Sequence, residues 1–263
     1  MYITIIADSK RHDHLASELK KDGHAVTVYK DYNSLPTEIS SEIIILPIPS
    51  FTEKGILNLN GAPDTLNKES FFKRISDTSF IITCNCEAEG RRYLDINKYE
   101  HFVFNNAVPS AEGAIALAMQ NSDITLFKSR SLVIGYGRIG KLIASRLKCF
   151  CGKVYIVARK EKDRLQANSE GLESLDFPDI DGKIDTFDFI FQTVPFPTLT
   201  KDRIDRINGL IIEISSKGLG TDMKYAKDKG VRLIYAPGIP EKYSSKTAGN
   251  ILTDSVKSII SEL

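Results

Sequence analysis

Between residues 135 and 140 the chain reads Gly135-Tyr136-Gly137-Arg138-Ile139-Gly140, directly after the apolar run Ser131-Leu132-Val133-Ile134. Three glycines at this spacing, between a strand and a helix, make a turn that can cradle a pyrophosphate. The first permits the tight turn, the second lets the backbone approach the phosphates, and the third lets helix and strand pack closely. The helix that follows offers unpaired N–H groups and the positive end of its dipole to the same anion. A turn kept only for packing would use the same glycines, so the next strand carries the decision. It runs Val154-Tyr155-Ile156-Val157 and continues into Ala158-Arg159-Lys160. An NAD site usually ends this strand with an acid for the ribose 2′-hydroxyl. Here Ala158 stands in that place, and Arg159 and Lys160 suit a 2′-phosphate, bidentate in the case of arginine. NADP(H) is expected ahead of NAD(H), for which Glu161 is a nearby acid, and the cofactor is held by Gly135 to Gly140 and by Ala158, Arg159 and Lys160.

Two later turns fall where a dinucleotide domain holds ribose and nicotinamide. Thr193-Val194-Pro195 follows one strand and Ser215-Ser216-Lys217 the next, and ligands of open parallel sheets bind outside the carboxyl ends of strands. Cations also gather at strand ends: Arg11, in Asp8-Ser9-Lys10-Arg11, then Lys217 and Lys246. A cleft receiving those ends would suit a small anionic substrate, although most of the 35 lysines and arginines are simply solvated.

Other chemistry lacks its residues. The four histidines, His12, His14, His24 and His101, all lie before residue 102, which disfavours a histidine acid–base beside the cofactor. His12 and His14 read as solvated at a helix start, and His101 as a strand cap. Cys84-Asn85-Cys86 and Cys149-Phe150-Cys151 have a one-residue gap where a zinc site wants two to four, so no metal is expected and the thiols read as buried and inert. No G-x-S-x-G elbow or Walker loop is present. With 35 basic against 34 acidic residues there is no field to gather nucleic acid. No apolar run approaches membrane length, and no leader is visible, so the expectation is a cytoplasmic protein.

The elements that must position these residues alternate strand and helix, the pattern of parallel α/β sheets. Apolar strands are read at 2–7, 25–29, 42–46, 80–84 and 102–105, with a helix over 14–22. A small-residue helix is read over 110–120, with Ser110 as its N-cap and Glu112 in its first turn. The pattern then restarts with strands at 132–134, 154–157, 187–193, 210–214 and 233–235. Residues 1–121 form a first domain, joined by the final helix 248–263, and 122–247 form the dinucleotide domain.

Asn105-Asn106-Ala107-Val108-Pro109-Ser110-Ala111-Glu112-Gly113, the glycine turn, and Ala236-Pro237-Gly238-Ile239-Pro240 with Lys246-Thr247-Ala248-Gly249 together resemble the dipicolinate synthase A-subunit family over nearly the whole chain. The resemblance implies two Rossmann-like parallel-sheet domains, a flavodoxin-like one before an NAD(P)-binding one, as in two-domain 2-hydroxy-acid dehydrogenases. It implies NADP-dependent dehydrogenation of dihydro- or hydroxytetrahydrodipicolinate in the mother cell of sporulating bacteria. The partner it implies is a flavoprotein-like B subunit. By analogy the small-residue helix makes a homodimer.

The sequence departs from the family where Ala7-Asp8-Ser9-Lys10-Arg11 replaces a Gly-Gly-Asp-x-Arg-like turn and where Glu213 stands for the usual Asp. Under this reading Arg11, Lys217 and Lys246 face the carboxylates of a dicarboxylate substrate. Ser110 and Ser216 donate hydrogen bonds, Glu112 moves a proton or serves only as a helix-start acid, and Ser215 lies beside the cofactor. The rival readings are an NADP(H)-binding scaffold without turnover and a 2-hydroxy-acid dehydrogenase.

Overall fold

A computed structural model describes residues 1–150 and 152–263, and the side chain of Lys217 also lies outside the described part. Cys151, half of the second Cys-x-Cys pair, falls outside it too. The elements in order are β1 (Tyr2–Ile6), α1 (Lys10–Lys21), β2 (Ala25–Tyr29), β3 (Ile43–Ile45), α2 (Lys68–Phe72), β4 (Phe80–Thr83), β5 (Arg92–Asp95) and α3 (Glu100–Gln120). They continue with β6 (Arg130–Ile134), α4 (Arg138–Phe150), β7 (Lys153–Val157), α5 (Glu161–Ser169), β8 (Glu173–Leu175), β9 (Phe189–Gln192), α6 (Lys201–Ile204), β10 (Leu210–Glu213), α7 (Met223–Asp228), β11 (Leu233–Tyr235) and α8 (Ile239–Ser261).

The chain divides into two compact units, residues 1–106 with 244–263 and residues 107–243. The sequence pattern places the lines at 121 and 248 instead. The first division falls inside α3 and the second at Ser244, whose non-helical φ of −146° and ψ of 50° break α8.

The first unit holds a parallel sheet in the order β2-β1-β3-β4-β5, the flavodoxin-like arrangement. Its central strands are near-continuous isoleucine runs, as sheets covered on both faces require. Ile3, Ile5, Ile43 and Ile45 pack with Leu15, Leu19, Leu252, Val256 and Ile259, while Ile6, Ile44 and Ile81 pack with Leu57, Leu66 and Phe71 on the other face.

The second unit holds a parallel sheet in the order β11-β10-β9-β6-β7-β8. Read from the other edge this is the doubly wound dinucleotide-binding order, with its switch point beside the first strand, here β6. Val133, Ile156 and Ile212 face one apolar layer, and Leu132, Tyr155 and Ile211 face the opposite one. On α4, Gly140, Ile143, Ala144 and Leu147 are buried, the i, i+3, i+4, i+7 stripe of an amphipathic helix.

Two expectations are corrected here. α3 begins at Glu100, so 102–105 is helical and not a strand, and Ser110 and Glu112 lie well inside the helix and not at its start. The burial of Phe102 and of Ala107, Ala111, Ala114 and Ala118 gives a continuous helical stripe, and that packing overrides the strand propensity of Phe102-Val103-Phe104. β5 adds a strand that the sequence pattern does not announce, because Arg-Tyr-Leu-Asp is the composition of a short polar edge strand.

Candidate functional site

The glycine turn is built as its spacing requires. Gly135 has φ +103°, and a Cβ there would lie 2.5 Å from Thr193 Oγ1 and 2.6 Å from Val194 Cγ1. A Cβ on Gly140 would overlap the carbonyl oxygen of Gly135. The first and third glycines are therefore demanded by the fold itself. Gly137 differs: a Cβ there would meet nothing within 4 Å, so a glycine at this position leaves open space rather than relieving a clash.

That space opens into a cavity of about 580 Å³ lined by Gly135, Tyr136, Gly137, Ala158, Arg159, Lys160, Phe177, Val194, Phe196 and others. It lies at the carboxyl ends of β6, β7 and β9, around the switch point. Arg138 and Ile139 form the first turn of α4, with Ile139 packed on the core. Tyr136 lines the cavity with its ring, while its hydroxyl donates to Glu170 Oε2 at 2.7 Å. Burial, then that bond, raises the Tyr136 phenol above its ordinary range.

Ala158, the first residue after β7, is buried, and the exposed Arg159 and Lys160 follow it. Arg164 braces this corner: Nη1 donates to the carbonyls of Ala158 at 2.7 Å and Arg159 at 3.0 Å, and pairs with Asp176 at 3.4 Å. Among the described residues no ion pair engages Arg159 or Lys160. Arg203 ties the opposite wall, donating to the carbonyls of Phe177 at 2.9 Å and Thr198 at 2.8 Å. Arg164, Arg203, Phe177 and Phe196 (69% exposed) escape sequence reasoning because none sits in a motif.

Thr193 and Val194 lie against the glycine turn, the Thr193 hydroxyl donating to the carbonyl of Ile134 at 2.8 Å, and Pro195 is exposed beyond them. Ser215 is buried, its N–H donating to Glu213 Oε1 at 2.9 Å. Ser216 is exposed and opens a single 3-10 turn, Ser216–Gly218, which includes the backbone of Lys217. These cofactor candidates thus come together in one unit.

The substrate-side candidates do not all join them. Glu112 is bound by Arg146 of α4, whose Nη2 and Nε donate to its Oε1 at 3.1 and 3.3 Å, and Ser110 is buried within α3. Arg11 and Lys246 belong to the first unit. Arg11 is 4% exposed in the first turn of α1, behind the N-cap Ser9, and Lys246 is exposed on α8.

His12 overturns its sequence reading. It is 2% exposed, with Nδ1 2.7 Å from Ser9 Oγ, and burial followed by the neighbouring Arg11 charge pushes its pKa down to about 3. His101 lies in α3, with Nδ1 3.1 Å from Ser255 Oγ, and not on a strand. Cys84 and Cys86 are buried and burial raises both thiols, Cys84 to about 12. Cys149 is exposed, against expectation, because it lies in the last turn of α4 off the buried stripe. No cluster of three or more metal-ligating side chains occurs among the described residues, and none of their helices is long and apolar enough to cross a membrane.

Comparison with known proteins agrees with this geometry. Residues 109–208 match the family described as D-isomer specific 2-hydroxyacid dehydrogenase, NAD binding domain. The chain is 27% identical over 231 residues to the dipicolinate synthase A-subunit of Bacillus subtilis (strain 168), covering 84% of this chain and 78% of that protein. In fold it resembles the crystal structure of the dipicolinate synthase A-subunit from Bacillus halodurans, with a TM-score of 0.86, 21% identity, and 98% and 97% of the two chains covered. It also resembles apo D-lactate dehydrogenase from Escherichia coli, with a TM-score of 0.67, 15% identity and coverage of 98% and 96%. The second unit is thus a nicotinamide-dinucleotide domain of the dehydrogenase type.

Proposed function

We propose that this chain is an NADP-dependent oxidoreductase that forms dipicolinate, filling the A-subunit role in a dipicolinate synthase. The similarity to the Bacillus subtilis protein of that name, spread over 84% of the chain, carries the reading. In the balanced reaction, dihydrodipicolinate and NADP+ give dipicolinate, NADPH and a proton. A hydroxytetrahydro precursor first loses water. Gaining an aromatic ring makes the oxidation downhill, and no alkoxide needs a histidine.

The residues present fit the cofactor: the open space at Gly137 would receive a phosphate, and the start of α4 would offer it N–H groups. Arg159 and Lys160 would hold the 2′-phosphate, and Thr193, Val194, Pro195 and Ser215 would border the nicotinamide ribose. When bound, the nicotinamide supplies the two-electron acceptor. The substrate carboxylates need charged partners, because a buried unpaired charge is costly, and Arg11, Lys217 and Lys246 are assigned to them. Ser110 and Ser216 donate hydrogen bonds. The released proton goes to water or to Glu112, which Arg146 holds in place.

A B-subunit partner, a homodimer through α3 and a place in the mother-cell cytoplasm complete the proposal. Dipicolinate formation is followed from fresh hydroxytetrahydrodipicolinate with NADP+ and then NAD+, with and without the B subunit. Chain-dependent product, faster with NADP+, is expected. Spontaneous background alone, with cofactor bound and the B subunit present, would replace the enzyme with a binding scaffold.

The 2′-phosphate assignment has its own test. Arg159→Ala should weaken NADPH binding about 10- to 100-fold, the worth of a charge-assisted pair. NADH binding should change by less than about threefold, as expected of a contact made only by the phosphate. Fluorescence titration reads both, and equal losses would contradict the assignment.

A further inference from the structure

Gln192 and Glu213, the last residues of β9 and β10, are register partners, and both are 0% exposed. Upstream along the same two strands the register partners are apolar, Ile190 with Ile211 and Phe191 with Ile212. The pairing turns polar only where the strands give way to turns. Gln192 Oε1 accepts the Val194 N–H at 3.1 Å, and its Nε2 donates to the Gly220 carbonyl at 3.1 Å and to the Thr198 hydroxyl. Glu213 accepts the Ser215 N–H at 2.9 Å on one oxygen and the Thr221 hydroxyl at 2.6 Å on the other.

The two sets of bonds are joined through Ser215 and Gly220. The Gly220 N–H donates to Ser215 Oγ at 3.2 Å, and its carbonyl also accepts the N–H groups of Thr198 and Leu199, each at 3.0 Å. A Cβ on Gly220 would lie 2.5 Å from Gln192 Cδ, so only glycine lets the amide side chain reach across. Burial raises the Glu213 carboxyl, against the bonds from Ser215 and Thr221 that lower it. A carboxylate is a costly filler for a position that packing alone would give to an aliphatic residue.

We propose that the Gln192–Glu213 pair is a positioning device that couples the turn after β9 to the turn after β10, so that Glu213 sets the placement of both. Its consequence for ligand binding rests on the reading of these turns as cofactor contacts; the coupling itself does not.

Single-residue amide exchange on the cofactor-free protein tests the coupling. In Glu213→Ala the Ser215 amide should lose about tenfold protection, the worth of its hydrogen bond. The Val194 amide, bonded to Gln192 and not to Glu213, should lose several-fold. Glu213→Gln, which can accept from Ser215 and donate to Thr221, should restore both. Should Glu213→Ala fail to fold, Thr221→Val removes a single donor and should still raise exchange at Val194. Loss at Ser215 with Val194 unchanged would overturn the proposal. NADPH affinity, measured in parallel, should fall in Glu213→Ala and recover in Glu213→Gln. A wild-type chain that binds no NADPH would sink the cofactor reading while leaving the exchange result standing.

Discussion

Gly137→Ala should leave the protein as stable as before and still cost it the cofactor. The methyl group meets no protein atom within 4 Å, and Gly137 is absent from the positive-φ positions, so the backbone accepts alanine without strain. Stability should hold or rise by about 0.4–1 kcal/mol, because alanine narrows the unfolded ensemble. If the open space is the seat of a pyrophosphate, NADPH affinity should fall by about tenfold or more, since the close backbone approach is what the second glycine provides. Gly140→Ala makes the contrast. Its Cβ overlaps the Gly135 carbonyl, so an overpacking cost of about 1–3 kcal/mol is expected in stability, and cofactor binding should be lost with it. Thermal unfolding and NADPH fluorescence titration of both variants separate the two roles. Unchanged NADPH affinity in a well-folded Gly137→Ala would reduce the motif to a packing device.

The second large effect lies in the first unit and concerns acid. His12 is buried beside Arg11 with its pKa pushed down to about 3, whereas an exposed histidine titrates near 6.5. Between those values the unfolded chain takes a proton that the folded chain refuses, so stability rises with pH and falls as pH drops. The slope is about 1.4 kcal/mol per pH unit. Lowering pH from about 6.5 to about 5 should therefore remove roughly 2 kcal/mol. His12→Gln keeps a polar partner for Ser9 and has no proton to gain, so it should flatten that part of the profile. Denaturant unfolding at several pH values gives the comparison. Parallel slopes in the two proteins would show that some other group carries the sensitivity.

Much of this is legible without coordinates, for physical reasons. The glycine turn declares itself because Gly135, Gly137 and Gly140 each answer a different steric demand at fixed spacing. Most strands of both sheets are visible because parallel strands buried on both faces are written as apolar runs; the short, more polar β5 and β8 are not. What stays hidden depends on contacts between segments far apart in sequence. Phe102-Val103-Phe104 has strand propensity, and only the packing of Phe102 and the alanine stripe shows it to be helix. His12, in a polar stretch, looks solvated until the chain folds over it.

Glu112 reads as a proton carrier or a helix-start acid, and nothing in its neighbourhood announces Arg146, on the following helix, beside it. The Gln192–Glu213 pair and the brace from Arg203 have no local signature, since Gln192 bonds to the carbonyl of Gly220 and Arg203 to the carbonyl of Phe177, both far off in sequence. The cofactor side of the site is thus a sequence motif, and its supports are a product of topology.

The claim that this chain carries out hydride transfer is tested most directly by isotope. Dihydrodipicolinate bearing deuterium at the saturated ring position that is oxidised would be incubated with the chain, NADP+ and the B subunit, and the recovered NADPH weighed. Deuterium in the reduced nicotinamide, one per dipicolinate formed, is the predicted result. Dipicolinate appearing with no deuterium in the cofactor would contradict it, leaving a chain that holds a dinucleotide while the ring loses its hydrogen elsewhere.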